Sequence, residues 1–258
     1  MYRNEIPVFG KGSILKREML ENLRDFPRDF TDIYFGEHSD GIISGCLLKV
    51  KENKIVVKSG IIKYRERLYF FNGEEEIIYE NFSHEVVLKI RFFQDESDKS
   101  FLKYGTKLFL DSDTELKDGE MELGRFKLKE GAKLRENYVD FADMSTEYNT
   151  FNIINVSYSG NGCETVHPAI IKKFAESLIK SSTKEPEDII FAMLGLNSKV
   201  IERSVITEYI ARKSGIENRK MTNGEIYKNL LKILRNMKDG KRAAEPVNRN
   251  RPNVIIVD

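Results

Sequence analysis

The spacing of hydrophobic positions near the start of the chain is helical. It predicts a short amphipathic helix over residues 13–25, with Ser13 as the N-cap and Pro27 just beyond the last periodic position. The apolar positions of this helix are Leu15, Met19, Leu20 and Leu23. A turn-rich stretch that ends in Asp40-Gly41 then separates the helix from the next part of the chain.

From residue 41 onward, short runs of β-branched and aromatic residues alternate with charged or glycine-containing turns. This rhythm is typical of antiparallel strands in sandwiches and barrels. The predicted strands lie within residues 41–71 and at 76–79, 86–93, 107–111, 121–128 and, more weakly, 138–141.

Near Ser159 the period changes to that of helices. Pro168, Pro186 and Ser198 are placed to begin three helices, and Thr222 with Glu225 forms a capping box for a fourth. Gly215 would end the third helix and Gly240 the fourth. Their apolar stripes are Ile170, Ile171, Phe174, Leu178 and Ile179; Ile189, Ile190, Met193 and Leu194; Ile201, Val205, Ile206, Tyr209 and Ile210; and Ile226, Leu230, Ile233, Leu234 and Met237.

Strands followed by helices indicate an α+β protein with separate modules rather than a doubly wound sheet. We therefore predict four segments along the chain. They are an N-terminal helix and docking segment (1–40), an antiparallel β-rich domain that is sandwich- or barrel-like (41–158), a small helical bundle (159–240) and an extended C-terminal arm (241–258) with a terminal strand at 254–257.

The charge balance argues against a general affinity for polyanions. The chain has 42 Lys and Arg against 41 Asp and Glu, a net charge of +1, so nucleic acid and anionic membranes are not expected as partners. There is no long apolar run for a membrane span and no secretory signal, which predicts synthesis in the cytoplasm. Two cysteines, Cys46 and Cys163, allow no disulfide framework and are expected to be buried or idle thiols.

Two loops come near to ligand-binding motifs without matching them. Asp111, Asp113, Glu115 and Glu122 stand where an EF-hand has ligands, but Leu116 replaces the glycine of its sharp turn. The segment 159–162 (SGNG) could hold a phosphate before a helix, but its third glycine is missing and no βαβ repeat surrounds it. A solvated hairpin loop and a flexible module boundary explain these two segments better.

No pattern of nucleophile, base or metal ligand is present in the sequence. The three histidines, His38, His84 and His167, stand alone, and His167 precedes Pro168 where a helix N-cap would lie. The phosphate-binding loop of ATP-driven motors is missing as well. We therefore predict a protein that is not an enzyme, with no catalytic residue, no cofactor and no metal.

The last residues combine a mild positive charge with an apolar end. Lys241, Arg242, Arg249 and Arg251 against Glu245 and Asp258 give 4 − 2 = +2, without the aromatic residues that stack bases. The sequence favours an arm that docks on a neighbouring subunit by strand addition over a nucleic-acid-binding tail. The arm's candidate contact residues are Arg249, Arg251, Val254, Ile255, Ile256 and Val257.

Three segments carry a family resemblance: 15–27 (LKREMLENLRDFP), 39–46 (SDGIISGC) and 60–64 (GIIKY), with Tyr69 closing the last block. They resemble tail-region proteins encoded in phages, prophages and contractile phage-tail-like bacteriocins of clostridial-type anaerobes. The DGIISG block is also similar to the N-terminal attachment modules of tail-fibre and baseplate proteins. The resemblance covers roughly the first third of the chain well and the helical part poorly.

This resemblance implies a structural baseplate component that connects receptor-binding tail fibres to the baseplate. It implies other baseplate and tail-fibre proteins as partners, several copies per particle, a homo-oligomer as one arrangement, and release of the particle by lysis. The candidate baseplate-docking residues are Leu15, Met19, Leu23, Asp40, Gly41, Ile42, Ile43 and Gly45.

Three other functions stay open at this point. The chain could be a fibre-assembly chaperone that is absent from the finished particle, a tail-associated cell-wall hydrolase, or a nucleic-acid-binding protein. A hydrolase requires a pair of carboxyl groups in a concave site, and a nucleic-acid-binding protein requires an affinity for DNA that depends on salt concentration.

Overall fold

The structure is a computed structural model that describes residues 5–80, 84–94 and 101–238. Within these ranges it is an α+β fold with an N-terminal helix, antiparallel sheets and a C-terminal helical region, which confirms the predicted class. The helices are α1 (Arg17–Tyr34), α2 (Pro168–Lys180), α3 (Pro186–Asn197), α4 (Arg203–Ser214) and α5 (Asn223–Lys238), with a 3-10 helix at Ala142–Ser145. The strands are β1 (Gly41–Gly45), β2 (Leu48–Lys51), β3 (Lys54–Val57), β4 (Gly60–Tyr64), β5 (Arg67–Phe71), β6 (Glu75–Ile78), β7 (Val86–Gln94), β8 (Tyr104–Asp111), β9 (Glu120–Phe126), β10 (Ser157–Tyr158) and β11 (Thr165–Val166).

The strands of the described residues form three sheets, and none of these closes into a barrel. Their orders are β11-β10-β1-β4-β5, β2-β3-β6 and β8-β7-β9. Neighbouring strands are antiparallel, except that β1 and β10 run parallel with Ile42 opposite Tyr158. Four of these eight pairings join consecutive strands, whereas the β1–β10 pair joins distant parts of the chain.

One continuous core joins the sheets to the helices. Phe141 lies at the junction, where its ring stacks on Tyr227 of α5 at 4.8 Å and meets Phe174 of α2 edge-on at 5.4 Å. The Tyr227 hydroxyl also donates a 2.6 Å hydrogen bond to the Phe141 carbonyl oxygen. Buried aromatic rings of this kind contribute large apolar areas, so the helical region and the β-rich region stabilise each other.

The start and end signals of the C-terminal helices are mostly as predicted. Pro168 and Pro186 begin α2 and α3, and Gly215 ends α4 in the left-handed conformation with a φ of 63°. In the capping box, Thr222 N donates to the Glu225 carboxylate at 2.8 Å and Glu225 N donates to Thr222 Oγ1 at 3.2 Å. The predicted end of α5 at Gly240 lies outside the described residues.

The prediction that Ser198 caps the third helix is wrong. Ser198 is the C-cap of α3, and α4 begins at Arg203 with Glu202 at the N-cap. Residues 199–201 between them are extended or irregular and bury Ile201. An isolated serine is a weak signal because it is common at both ends of helices and in loops.

The predicted bounds of the first helix are also wrong. α1 starts after Lys16 without a side-chain cap, so Ser13 is not its N-cap, and it continues through Pro27 to Tyr34. A proline inside a helix removes one backbone hydrogen bond and often ends the helix, but here the apolar period continues beyond it at Phe30 and Ile33.

The weak strand predicted at 138–141 does not exist. This segment is a loop that leads into the 3-10 helix. The Asp143 carboxylate accepts hydrogen bonds from Arg135 at 2.6 and 2.7 Å and from Val139 N at 2.8 Å. These side-chain bonds hold the backbone in turns and replace a strand ladder.

The division of the chain into four segments stays a prediction. Strands β10 and β11 stand on either side of residue 159, and they pair with each other in the sheet that contains β1. This sheet therefore contains residues from both sides of the predicted boundary. The C-terminal arm and its predicted strand lie outside the described residues.

Candidate interaction site

The DGIISG block forms the middle of a sheet. Ile42 and Ile43 are 2% and 9% exposed, so they pack in the core and present no surface. A Cβ atom on Gly41 would lie 2.6 Å from Ser159 N, and one on Gly45 would lie 2.1 Å from the Ser59 carbonyl oxygen. Both glycines have positive φ angles, so close backbone packing accounts for the glycines of this block, and its docking role stays a prediction.

Asp40, at the start of this block, has a local partner as well. Its Oδ1 atom accepts a 2.9 Å hydrogen bond from the backbone N–H of Arg65, in the turn between β4 and β5. Arg65 and Glu66 both have positive φ angles in that turn. Asp40 therefore helps to fix a tight turn beside α1, although it is itself exposed.

The end of α1 is attached to the sheet by one buried lysine. Lys63 of β4 is 8% exposed, and its Nζ atom donates to the carbonyl oxygens of Phe35, Gly36 and His38 at 2.8, 2.9 and 2.6 Å. A cation beside free carbonyl groups at a helix C-terminus is favourable both as a hydrogen-bond donor and as a partner of the helix dipole. Lys63 thus holds the helix end in place.

The apolar face of α1 has no partner within the described part of the chain. None of its 18 residues is buried, although its apolar and polar residues are cleanly divided between two faces. The candidate residues Leu15, just before the helix, and Leu23 are about half exposed, and Met19 is partly buried. The exposed apolar residues of the helix are Leu20, Leu23, Phe26, Phe30, Ile33 and Tyr34. Contiguous exposed apolar surface of this kind makes the helix a candidate interaction site.

A groove runs between α1 and β5. Its volume is about 930 Å³ and its walls include Tyr69, Phe70 and Tyr104. Four arginines also line it, against two acidic side chains: Arg24, Arg28, Arg65 and Arg67 face Asp32 and Glu66. The α1 residues on the groove come from the polar side of the helix together with Pro27. The helix therefore turns its polar side toward its own sheet and its apolar face away from it.

Helix α3 presents a second exposed apolar face, against expectation. The predicted apolar stripe of Ile189, Ile190, Met193 and Leu194, which a helical bundle would bury, lies on the solvent side, and Met193 is 63% exposed. The buried side of α3 consists of Asp188, Phe191, Ala192 and Gly195. The helix is apolar nearly all round, a property of helices that are covered on both sides, and this is the signal that sequence reasoning missed.

Asp188 makes the buried side of α3 unusual. Its carboxylate accepts hydrogen bonds from the Tyr209 hydroxyl at 2.8 Å and from Thr183 Oγ1 at 3.0 Å, and it pairs with Lys213 Nζ at 3.0 Å. Burial beside this carboxylate raises the pKa of Tyr209. Because each partner is satisfied, the cluster is a structural link between α3 and α4.

The loop that resembles an EF-hand is occupied by the chain's own groups. Asp111 accepts from Asp113 N at 3.0 Å and from Lys89 Nζ at 3.0 Å, and the first bond contributes most to lowering the pKa of Asp111. Glu122 is paired with Arg125 at 2.6 Å. Among the described residues, no group of three or more histidine, cysteine or acidic side chains could hold a metal ion.

Lys89, next to this loop, is fully buried in the central strand β7. Besides Asp111 it donates to the Glu115 carbonyl oxygen at 2.6 Å and lies 3.5 Å from the Glu120 carboxylate. Burial alone would raise the pKa of Glu120, but hydrogen bonds from Arg91 and from Lys117 N, together with Lys89, leave that pKa lowered. The network satisfies buried charges and explains why these acidic residues stand together in sequence.

The glycine-containing segment at 159–162 is held by hydrogen bonds. Ser39 N donates to the Gly160 carbonyl oxygen at 2.9 Å, and Gly162 N donates to the Glu37 carbonyl oxygen at 2.9 Å. Asn161 N donates to the Glu202 carboxylate at 3.1 Å. A carboxylate of the chain itself thus takes the backbone donor that a bound phosphate would need.

His167 and the two cysteines, Cys46 and Cys163, all lie among the described residues. His167 is the N-cap of α2, as predicted, since its Nδ1 atom accepts a 3.0 Å hydrogen bond from Ala169 N. Burial lowers the pKa of His167 to about 3 and raises the pKa of the Cys46 thiol to about 12. Cys163 is free and exposed.

Some predicted features are not described by the structure. The arm residues Arg249, Arg251 and 254–257 lie outside the described residues. In the part of the chain that is described, no helix is both long enough and apolar enough to span a bilayer.

Comparison with known proteins gives limited similarity. No family model matches the chain, and no curated protein matches it. A crystal structure of TssK is similar with a TM-score of 0.38 and 12% identity, covering 92% of this chain and 69% of that one. A chain of the type VI secretion system TssK-TssF-TssG baseplate subcomplex is similar with a TM-score of 0.43 and 7% identity, covering 92% of this chain and all of that one. Both scores lie below 0.5, so they define no common fold.

Proposed function

We propose that this chain is a structural subunit of the baseplate of a contractile, phage-tail-like particle, and that it connects tail fibres to the baseplate. The observation that carries the proposal is the apolar face of α1, a helix of 18 residues of which none is buried. A single soluble chain gains nothing from such a face, whereas an assembly subunit buries it against a neighbour.

The exposed face of α3 supports the same proposal. A subunit inside an assembly contacts more than one neighbour, copies of itself included, and α1 and α3 supply separate surfaces from distant parts of the described chain. We propose that α3 contacts a protein other than this chain. Its exposed residues are aliphatic and sulfur-containing side chains, which suit a well-packed apolar interface.

The kind of particle is proposed from the sequence resemblance. The segments at 15–27, 39–46 and 60–64 resemble phage-tail proteins, and the first of them largely coincides with the first half of α1. The proposal does not rest on the two TssK structures, because their TM-scores are below 0.5. We further propose that the chain is not an enzyme, that it is made in the cytoplasm and that it leaves the cell in a particle released by lysis.

The test is to purify particles from an induced producer, to search them for this chain by mass spectrometry, and to image a deletion strain beside the wild type. We expect the chain in the particles and tails without fibres in the deletion strain. If fibres are lost but the chain is absent from finished particles, it is an assembly chaperone. Fibre-bearing particles from the deletion strain would refute the proposal.

A pair of variants tests the α3 surface. Ile190→Asp with Met193→Asp places two charges on its exposed face, and we expect a folded chain that no longer enters particles. The matched control is Lys228→Asp with Lys232→Asp, since both lysines lie on α5 and are at least partly exposed. Incorporation of the α3 variant at the wild-type level would remove α3 from the proposed contact.

A further inference from the structure

Helix α1 has two chemically different flanks beside its apolar face. At about 100° per residue, the polar positions on one side of the face are all acidic or neutral, and those on the other side are basic or neutral. The acidic flank is Glu18, Asn22, Asp25 and Asp29; the basic flank is Arg17, Arg24, Arg28 and Thr31.

The apolar face also has the spacing of a helix–helix seam. Met19, Leu23, Phe26, Phe30 and Ile33 follow one another at intervals of four and three residues. This is the a/d pattern by which helices of separate chains pack side by side. Leu20, Pro27 and Tyr34 widen the seam on the side of the basic flank.

From these features we propose that α1 binds the α1 helix of a second copy of this chain, with the two helices parallel. The flanks decide both the partner and the direction. When two copies are related by rotation about an axis along the helix, the acidic flank of each meets the basic flank of the other. An axis across the helix would instead bring acidic flank to acidic flank and basic flank to basic flank.

The surroundings of α1 fit this arrangement. Arg24, Arg28 and Thr31 of the basic flank line the open groove between α1 and β5. The apolar face beside them stays open to a second copy, and the acidic flank of that copy would lie along the groove. Arg67, across the groove, adds positive charge on the side where the acidic flank of the second copy would lie. The buried Lys63 holds the C-terminal end of α1, which orients the helix before association.

The charges of α1 are available for exchange between copies. Within one chain, Arg17 pairs with Glu21 at 2.8 Å and Arg24 with Asp25 at 2.7 Å, while Arg28 lies 3.7 Å from Asp32. These pairs are exposed, and such pairs contribute little to stability. The arginines can therefore turn to a second copy at small cost.

The first test measures the mass of the full chain by sedimentation velocity at micromolar concentration. We expect an oligomer for the wild type and a monomer for Leu23→Asp with Phe30→Asp. The control is Ile190→Asp with Met193→Asp, which also removes two exposed apolar side chains but should leave the mass unchanged. Circular dichroism should be the same for all, because no α1 residue is buried in the single chain.

The second test concerns the charged flanks. Glu18→Arg, Asp25→Arg and Asp29→Arg together make both flanks basic, and we expect the dissociation constant to rise at least about tenfold. Adding Arg17→Glu, Arg24→Glu and Arg28→Glu exchanges the flanks and should restore the affinity. Failure of the exchanged variant to associate, while it remains folded, would argue against pairing of the flanks.

The third test measures the direction of the two helices by oxidation of one introduced cysteine per chain, in a chain that carries Cys163→Ser and keeps the buried Cys46. Met19→Cys should crosslink to itself, and so should Ile33→Cys, because equivalent positions lie side by side when the helices are parallel. An antiparallel pair would instead join Met19→Cys to Ile33→Cys in a mixture of the two variants.

Three results would overturn the inference. The first is a monomeric wild type. The second is that the α3 variant no longer associates while the α1 variant still does. The third is a crosslink between Met19→Cys and Ile33→Cys in a mixture where neither variant crosslinks to itself. The inference goes beyond the proposed function and can fail separately from it. The masses and crosslinks are measured on the purified chain, whereas the baseplate role is measured on particles.

Discussion

Lys63 Nζ lies 2.6 Å from the carbonyl oxygen of His38, and this contact joins the β4–β5 hairpin to the segment that follows α1. The same ammonium group also reaches the carbonyl oxygens of Phe35 and Gly36. One side chain therefore satisfies three acceptors near a helix end, where backbone carbonyl groups have no partner within the helix.

Lys63→Met should release this attachment. Three carbonyl groups lose a charged donor, and we expect the free energy of unfolding to fall by about 2 to 4 kcal/mol. Limited proteolysis should cut first near residues 35–39. Lys58→Met is the control, because Lys58 pairs with Glu74 at an exposed site and should change stability by less than about 1 kcal/mol. Equal effects of the two variants would contradict this role for Lys63.

His167 should make the stability of the protein depend on pH. Its folded pKa of about 3 lies below the usual value of 6.5, so between these values the unfolded chain binds more protons. The free energy of unfolding that depends on neutral His167 is therefore fully present above pH 6.5 and decreases as the pH falls below that value. His167→Asn keeps an N-cap acceptor that does not titrate. We compare the free energy of unfolding of this variant with that of the wild type at two pH values. The difference, variant minus wild type, should be about 1 to 2 kcal/mol more positive at pH 5 than at pH 7.5.

Chemical denaturation at both pH values measures this gain. The acidic groups titrate in the same way in the wild type and in the variant, so their effect on stability cancels in the comparison. A difference between the two proteins that is the same at pH 5 and at pH 7.5 would show that His167 does not titrate abnormally.

Gly45→Ala tests the structural interpretation of the DGIISG block. Gly45 has a φ of 71°, and a Cβ atom there would lie 2.1 Å from a backbone oxygen. Gly131 is a matched control, since its φ is 74° and nothing lies within 4 Å of its Cβ position. We expect Gly131→Ala to cost about 1 kcal/mol for the backbone conformation alone, and Gly45→Ala to cost at least about 2 kcal/mol more. Thermal unfolding of both variants measures the difference, and similar costs would argue against the close approach.

Lys89→Met tests the buried charge network in β7. The substitution leaves Asp111 and Glu120 without their shared cation, and breaking a buried pair in this way costs about 3 to 5 kcal/mol. Lys107→Met on the neighbouring strand β8 is the control, because Lys107 is at least partly exposed. Urea denaturation should separate the two variants clearly. If Lys89→Met leaves the free energy of unfolding unchanged, the network contributes no net stability.

The sequence predicts local structure well where the signal is local. The strands between residues 41 and 126 and the capping box at Thr222 follow from alternation and from side-chain bonds to nearby backbone groups. The extent of α1 is different, because Pro27 is a strong local stop signal that the continued apolar period overrides. The pairing of β1 with β10 has no local signal, since it joins residues that are far apart in the sequence.

The candidate site was predictable only in part. Amphipathic spacing reveals which residues share a helix face, and the predicted residues Leu15 and Leu23 are indeed exposed. Spacing does not reveal whether that face meets the core or a partner. For this reason the sequence places Ile42 and Ile43 in a docking block although they are buried, and Ile190 and Met193 in the core although they are exposed.

The parallel pairing of β1 with β10 has a consequence for synthesis on the ribosome. β1 acquires β4 on one side as soon as the first hairpins have emerged, but β10 and β11 follow only after residue 156. Until then the nascent chain carries an open strand edge, which can pair with other unfinished chains. Long-range pairing of this kind also slows folding. The yield of soluble protein should therefore depend on translation speed and on the supply of chaperones.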